Sequence, residues 1–294
     1  MQRFWDTDRI CGFVPREFLN AVESPAERAG VREKISKGIE SCKDIKEAMK
    51  AVVGDLPVVV PHPAFVVYPC DEYKALVGCL VKPISEYAMD RIITTLDERS
   101  ENGAFNLYKS IRGSSLAVAF RGQIWEHKVH EYFRRNVASF TIRSLDDAST
   151  RPWGLSEDVK HFDFGPCQMT TGELARRVEA GESVYLRPIS DAFASLDSVI
   201  YQPTGPLVGI QVTDTLVHPI KATGLRVLQR LLNPTDASLA PLRPSVAKPW
   251  LLLFVVPTPM ESSFTKQSIK GAAIWSRQTV QYVLGLDPRE VFGA

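Results

Sequence analysis

Three oxygen-bearing side chains stand beside apolar residues, where a polar group needs a partner. Glu126 follows the apolar pair Ile124-Trp125, and Asp197 and Gln211 each lie within a strand-like apolar segment. Burying an unpaired amide costs about 1 to 3 kcal/mol, so Gln211 requires a partner or a ligand. Two carboxylates and an amide carbonyl are hard oxygen ligands that suit Mg²⁺ or Mn²⁺. Taken singly, each acid also fits an ordinary boundary charge or strand cap; together they indicate a metal site.

The segments that carry Asp197 and Gln211 are predicted to form an antiparallel hairpin. They run over residues 196–201 and 207–213, and the turn between them is Pro203-Thr204-Gly205-Pro206. With the turn centred on its threonine, Asp197 lies opposite Gln211. Side chains of a strand alternate between its two faces. One predicted face is polar and the other mostly apolar: Asp197, Gln211 and Thr213 against Leu196, Ile200, Val208, Ile210 and Val212.

Helix and strand patterns alternate around this hairpin, which predicts an α/β domain over residues 114–294 with a mixed sheet flanked by helices. The predicted elements are a helix over 114–133, a strand over 140–143, a loop over 146–172, a helix over 173–180, a strand over 184–186, the hairpin, a helix over 222–232, a strand buried on both faces over 250–256, and a closing helix over 274–284.

Residues 1–113 predict a mainly helical N-terminal extension. Helical periodicity covers 15–53 and 73–111, with a break at residues 100–103. Between these helices, residues 57–60 and 65–68 are short apolar runs punctuated by prolines, which favours edge strands.

Three stretches resemble the PD-(D/E)XK nuclease superfamily, and more particularly the C-terminal nuclease-like domains of Crinkler and retrotransposon-hot-spot-type proteins. They are Arg121-Gly122-Gln123-Ile124-Trp125-Glu126-His127-Lys128-Val129-His130, Ser195-Leu196-Asp197-Ser198-Val199-Ile200-Tyr201, and Gly209-Ile210-Gln211-Val212-Thr213 running into His218-Pro219-Ile220-Lys221. The resemblance covers about residues 114–286 and implies a restriction-endonuclease-like fold.

The resemblance also implies a set of roles. Glu126 matches the acid on the helix, Asp197 the central metal-binding aspartate, and Gln211 the Glu or Gln that follows it. The implied activity is hydrolysis of DNA phosphodiesters with Mg²⁺ or Mn²⁺. Thr213 stands where the superfamily usually has lysine, and a threonine cannot supply that positive charge. Lys221 is the substitute that we expect; the alternative is a catalytically inactive nuclease-like effector or recognition module that binds nucleic acid or protein.

Composition and the absence of common motifs exclude several other classes of protein. The 35 Lys and Arg nearly balance 34 Asp and Glu, so no global field attracts the chain to a polyanion. The chain lacks the nucleotide-binding motifs GxxxxGK[ST] and GxGxxG. It also lacks the GxSxG motif of serine hydrolases and the HExxH motif of zinc proteases. No apolar run approaches the roughly 20 residues that cross a bilayer, and the N-terminus lacks the pattern of a secretory signal. Five scattered cysteines form no CxxC pair. We therefore expect an intracellular protein, in the cytoplasm or nucleus, without a membrane partner.

Two further patterns lie on or near the predicted helix. His127 and His130 are spaced to chelate zinc, but two such histidines more often lie on a solvated helix face. A basic set with interleaved aromatic residues could follow a phosphate backbone or form a solvated surface. Its members are Arg121, Lys128, Arg134, Arg135 and Arg143, with Trp125 and Tyr132.

Overall fold

A computed structural model describes residues 24–42, 64–69, 79–112, 118–136, 138–164, 171–188, 195–203, 205–232, 237–271 and 273–294. The chain divides into two units, which comprise residues 1–127 with 292–294, and residues 128–291. The domain boundary predicted at residues 113 and 114 lies outside the described residues.

In its described residues, the N-terminal unit contains helices and one antiparallel pair of strands. Its elements are α1 (Pro25–Ser41), β1 (Phe65–Pro69), β2 (Cys79–Pro83), α2 (Glu86–Arg99), α3 (Gly103–Ser110) and the first part of α4 (Val118–Arg135). Ser24 and Ser85 cap α1 and α2 by accepting backbone N–H bonds. The predicted helix over 73–111 is wrong for residues 79–83, because this segment pairs antiparallel with β1. The predicted strand over 57–60 lies outside the described residues.

The larger unit begins in the second half of α4 and contains most of the strands. They are β3 (Ser139–Ser144), β4 (Thr150–Gly154), β5 (Lys160–Phe164), β6 (Val184–Pro188), β7 (Ser198–Tyr201), β8 (Val208–Val212), β9 (Ile220–Lys221), β10 (Trp250–Pro257), β11 (Ile269–Lys270) and β12 (Thr279–Leu286). Its further helices are α5 (Thr171–Glu179), α6 (Ala222–Leu231), α7 (Thr258–Glu261), α8 (Trp275–Gln278) and most of α9 (Pro288–Phe292).

Eight of these strands form one mixed sheet in the order β4-β3-β12-β10-β8-β7-β6-β5. The predicted α/β class with a mixed sheet is therefore confirmed. Strand β10 is central, is buried along its whole length, and runs parallel to both β8 and β12. Such a run of apolar residues is typical of a strand covered on both faces.

The two faces of the sheet pack against different helices. On one face, Val199 and Phe254 belong to the same apolar core as Leu174 of α5 and Leu225 of α6. On the other face, the ring of Phe133 in α4 lies 6.3 Å from that of Tyr185 in β6. Helices therefore flank the sheet on both sides, as the alternating sequence pattern predicts.

Two predictions near this sheet are wrong. The segment predicted as a closing helix forms β12, and only Trp275–Gln278 within it is helical. Pairing with the buried strand β10 satisfies the backbone of β12 while burying its apolar side chains, which outweighs a local helical pattern. The predicted loop over 146–172 contains strands β4 and β5, which occupy the two edges of the sheet.

The predicted hairpin register is confirmed, because Val199 pairs with Gly209 and Ser198 pairs with Ile210. The prediction for Leu196 is wrong: its side chain packs on the core face, over Gly209, where a Cβ atom would stand 2.7 Å from Leu196 Cδ2. Ser195 has a left-handed φ of 73°, so strand alternation does not extend back through Leu196.

Candidate functional site

Asp197 and Gln211 meet where β7 begins and β8 ends. The Asp197 carboxylate accepts two hydrogen bonds at Oδ2, from Gln211 Nε2 at 2.6 Å and from the backbone N–H of Val212 at 2.7 Å. The backbone N–H of Asp197 in turn donates to Ile210 O at 2.8 Å. The two strands therefore hold this carboxylate and this amide in one orientation.

The carbonyl of the Gln211 side chain is the unusual atom of this cluster. Gln211 is only 6% exposed, and its Oε1 atom is buried and accepts no hydrogen bond from any residue in the described ranges. A buried acceptor without a donor costs about 1 to 3 kcal/mol. An oxygen of this kind, beside a carboxylate, fits a divalent cation that takes oxygen ligands.

Thr213 is buried and shapes the turn that follows β8. Its Oγ1 atom accepts a hydrogen bond from the backbone N–H of Thr215 at 3.2 Å and lies 3.0 Å from Thr215 Oγ1. Gln267 supports the same loop by accepting from the backbone N–H of His218 at 2.7 Å. The Thr213 hydroxyl thus has a clear structural use in the turn.

Lys221 lies close in the fold to the segment that carries Asp197. Its backbone N–H donates to Ser195 Oγ at 2.9 Å, and its side chain is exposed. The structure therefore brings together the segments of Asp197, Gln211, Thr213 and Lys221 in one unit. Glu126 belongs to the N-terminal unit, where it is half-buried next to the fully buried Trp125. Its role as a metal ligand stays a prediction.

Most of the predicted basic set is engaged within the protein. Arg121 is 8% exposed and donates to Arg112 O, Lys128 is 7% exposed and contacts Glu131, and Arg143 donates to the carbonyls of Glu261 and Phe264. Trp125 is fully buried, so it offers no face to a base. Among the basic residues of the set, only Arg134 and Arg135 are exposed, so the set forms neither a continuous path for a phosphate backbone nor a fully solvated surface.

The two histidines considered for zinc have partners of their own. His127 Nδ1 lies 3.4 Å from Asp90 Oδ1, and His130 Nδ1 lies 2.6 Å from the Tyr185 hydroxyl. Each histidine therefore has a polar contact at Nδ1 within the protein, which favours a structural role.

A second polar cluster, on the α4 face of the sheet, was missed by sequence reasoning. Ser198 Oγ donates to the Tyr185 hydroxyl at 3.0 Å, which leaves the Tyr185 proton for His130 Nδ1. The His161 ring lies 4.8 Å from the Tyr185 ring. Burial lowers the pKa of His161, and electrostatic interactions with Arg134 and His130 lower it further. No local motif signals this cluster, because its members come from four separate elements.

The lowered pKa of His161 predicts a pH dependence of stability. Because the folded state favours the neutral ring, the unfolded chain takes up a proton first as the pH falls below about 6.5. The free energy of unfolding should therefore decrease as the pH falls from about 7 to about 5. Urea denaturation of His161→Gln across this range should show a shallower decrease than wild type; equal slopes would contradict this assignment.

Comparisons with known proteins add no identification. No protein-family model matches the chain, and neither a curated protein nor a solved structure matches it. Among the described helices, none has both the length and the apolar character that crossing a bilayer requires.

Proposed function

We propose that this chain is a metal-dependent phosphodiesterase that cleaves DNA, built on a restriction-endonuclease-like domain of the PD-(D/E)XK type. The observation that carries the proposal is the cluster of Asp197 and Gln211, in which a carboxylate faces an amide with a buried, unpartnered carbonyl. This pair stands where β7 begins and β8 ends in a mixed sheet. Asp197 precedes Gln211 along the chain, as the superfamily resemblance implies.

The side chains present fit a divalent ion. Asp197 and Gln211 would hold Mg²⁺ or Mn²⁺, with the Gln211 Oε1 atom gaining the partner that it lacks among the described residues. A bound ion would polarise a substrate phosphate and lower the pKa of an attacking water. Gln211 Nε2 keeps the Asp197 carboxylate in position by donating to Oδ2.

Lys221 is the proposed source of positive charge at the scissile phosphate. Its backbone is tied to Ser195, two residues before Asp197, and its exposed side chain has the length to reach a neighbouring group. In this proposal it replaces the lysine that the superfamily usually has at the position of Thr213.

A second candidate is a nuclease-like effector or recognition module that binds nucleic acid or protein without cutting. The observation that favours it is Thr213, a neutral side chain whose hydroxyl serves the turn through Thr215. Without a cation at this position, Lys221 is the proposed protein side chain that would add positive charge to that of a bound ion at the transition state.

The experiment that tests the proposal is cleavage of supercoiled plasmid DNA with Mg²⁺ or Mn²⁺. Wild type should nick the plasmid, and Asp197→Ala should lower the rate about a hundredfold or more, because the ion loses its carboxylate ligand. Asp158→Ala is the matched control, since Asp158 is an exposed acid of the same unit, and it should cleave as wild type does. A folded wild-type protein that cleaves with neither ion would refute the nuclease and favour the binding module.

A further inference from the structure

A cavity of about 330 Å³ lies at the α4 face of the sheet, entirely within the larger unit. Within the described part of the chain, six residues line it, and none of these six is acidic: His130, Arg134, His161, Phe162, Tyr185 and Arg187. They come from α4, β5 and β6, so their polar groups converge from three elements. Its volume is at the lower end of the range for small-molecule sites, about 300 to 1,000 Å³.

We propose that this cavity binds the phosphate group of a small phosphomonoester. Two arginines, Arg134 and Arg187, line one space together with His161. Guanidinium groups bind phosphate oxygens in a bidentate manner, and both remain charged at any physiological pH. A phosphomonoester brings nearly two negative charges and three strong acceptor oxygens, which matches donors that arrive from several directions.

Hydrogen bonds and ring packing hold the side chains of the cavity wall in place. Tyr185 is buried, and its hydroxyl bonds both His130 Nδ1 and Ser198 Oγ, which fixes the ring and the imidazole in place. The ring of His161 packs against Tyr185 on the side of β5. Binding therefore needs little ordering of the wall, and a preorganised wall lowers the entropic cost of binding.

The site is separate from the proposed metal chemistry and does not depend on it. Asp197 and Gln211 are not among the residues that line the cavity. Ser198 turns toward Tyr185 on the α4 face, whereas its neighbour in the strand, Val199, belongs to the core on the opposite face.

Arg134 provides the sharpest test, because it is exposed and its neighbour Arg135 is a matched control. Arg134 lines the cavity, whereas Arg135 is also exposed, lies outside the cavity lining and contacts Glu131. We would titrate the full chain, with EDTA present, with inorganic phosphate, adenosine 5′-monophosphate and adenosine, and measure binding by calorimetry. Wild type should bind the two phosphates and not adenosine.

The expected effect of Arg134→Gln is at least about tenfold weaker binding of both phosphates, because a charge-assisted contact is lost. Arg134→Lys should restore part of the affinity, and Arg135→Gln should bind as wild type does. Equal affinity in Arg134→Gln and Arg135→Gln, or no binding of either phosphate to wild type, would overturn the proposal. Single-stranded DNA would be titrated in the same way. If Arg134→Gln lost affinity for single-stranded DNA but kept its affinity for both phosphates, the proposal would also be overturned, because the arginine would then bind a nucleic-acid backbone.

Asp197→Ala separates this proposal from the nuclease. In EDTA, this variant should bind adenosine 5′-monophosphate as wild type does, whether or not the protein cleaves DNA. Loss of phosphate binding in Asp197→Ala would place the ligand at the other site and refute the cavity.

Discussion

Replacing Gln211 by leucine is expected to remove the stabilisation that manganese gives to the wild-type protein, while the metal-free protein stays within about 1 kcal/mol of wild type. The leucine deletes a buried carbonyl that accepts no hydrogen bond from the described residues, and it also deletes the Nε2 donor of Asp197. Losing the unpartnered carbonyl should stabilise the metal-free protein, and losing the hydrogen bond to Asp197 should destabilise it, so the two effects oppose one another. At an Mn²⁺ concentration about a hundred times the dissociation constant, wild type should gain about 2.7 kcal/mol.

Gln211→Glu should have the opposite signature. Its carboxylate would stand where an amide nitrogen now lies 2.6 Å from Asp197 Oδ2. A buried and a half-buried carboxylate at this distance repel, so the metal-free protein should lose about 1 to 3 kcal/mol, while the added charge should tighten Mn²⁺ binding. Urea denaturation with EDTA and with Mn²⁺ measures both effects, and Gln229→Leu, at an exposed glutamine, is the control. Equal gains from Mn²⁺ in all variants would refute the Gln211 ligand.

Phe254→Ala is expected to cause the largest loss of stability, about 3 to 5 kcal/mol. Phe254 is fully buried in the central strand β10, and its ring lies 5.2 Å from that of Phe264. Phe254 also pairs with Gln211 of β8, so the void left by the alanine would lie beside the candidate metal site.

Urea denaturation of the full chain would measure this loss. Phe254→Leu should cost less because it leaves a smaller void, and Val246→Ala, at a residue that is 72% exposed, should change stability by less than about 0.5 kcal/mol. A loss below about 1 kcal/mol in Phe254→Ala would mean that the core does not close around β10 as described.

The hairpin could be predicted because its determinants are local. The turn from Pro203 to Pro206 sets the register, and the apolar alternation of β8 leaves Gln211 as the residue that needs a partner. The position of Leu196 could not be predicted in this way, since it depends on the open space over Gly209.

Elements whose partners are distant in sequence were harder to predict. Strand β12 has a local pattern that also suits a helix, and its strand conformation depends on pairing with β10 and β3. The phosphate cavity was missed for the same reason, because Arg134, His161 and Arg187 meet only after α4, β5 and β6 have packed. Arg121 illustrates the converse: its charge suggested a surface, but its guanidinium is buried against Arg112 O.

The position of β12 has a consequence for how the protein is made. In the sheet, β12 stands between β3 and β10, although β3 is the first of the eight strands along the chain and β12 the last. Synthesis runs from the N-terminus, so the edge of β3 that pairs with β12 in the finished sheet stays unpaired until β12 has been made. An unpaired strand edge is a template for pairing with other chains. We expect newly made chains to be most prone to aggregation, and most dependent on chaperones, in this interval.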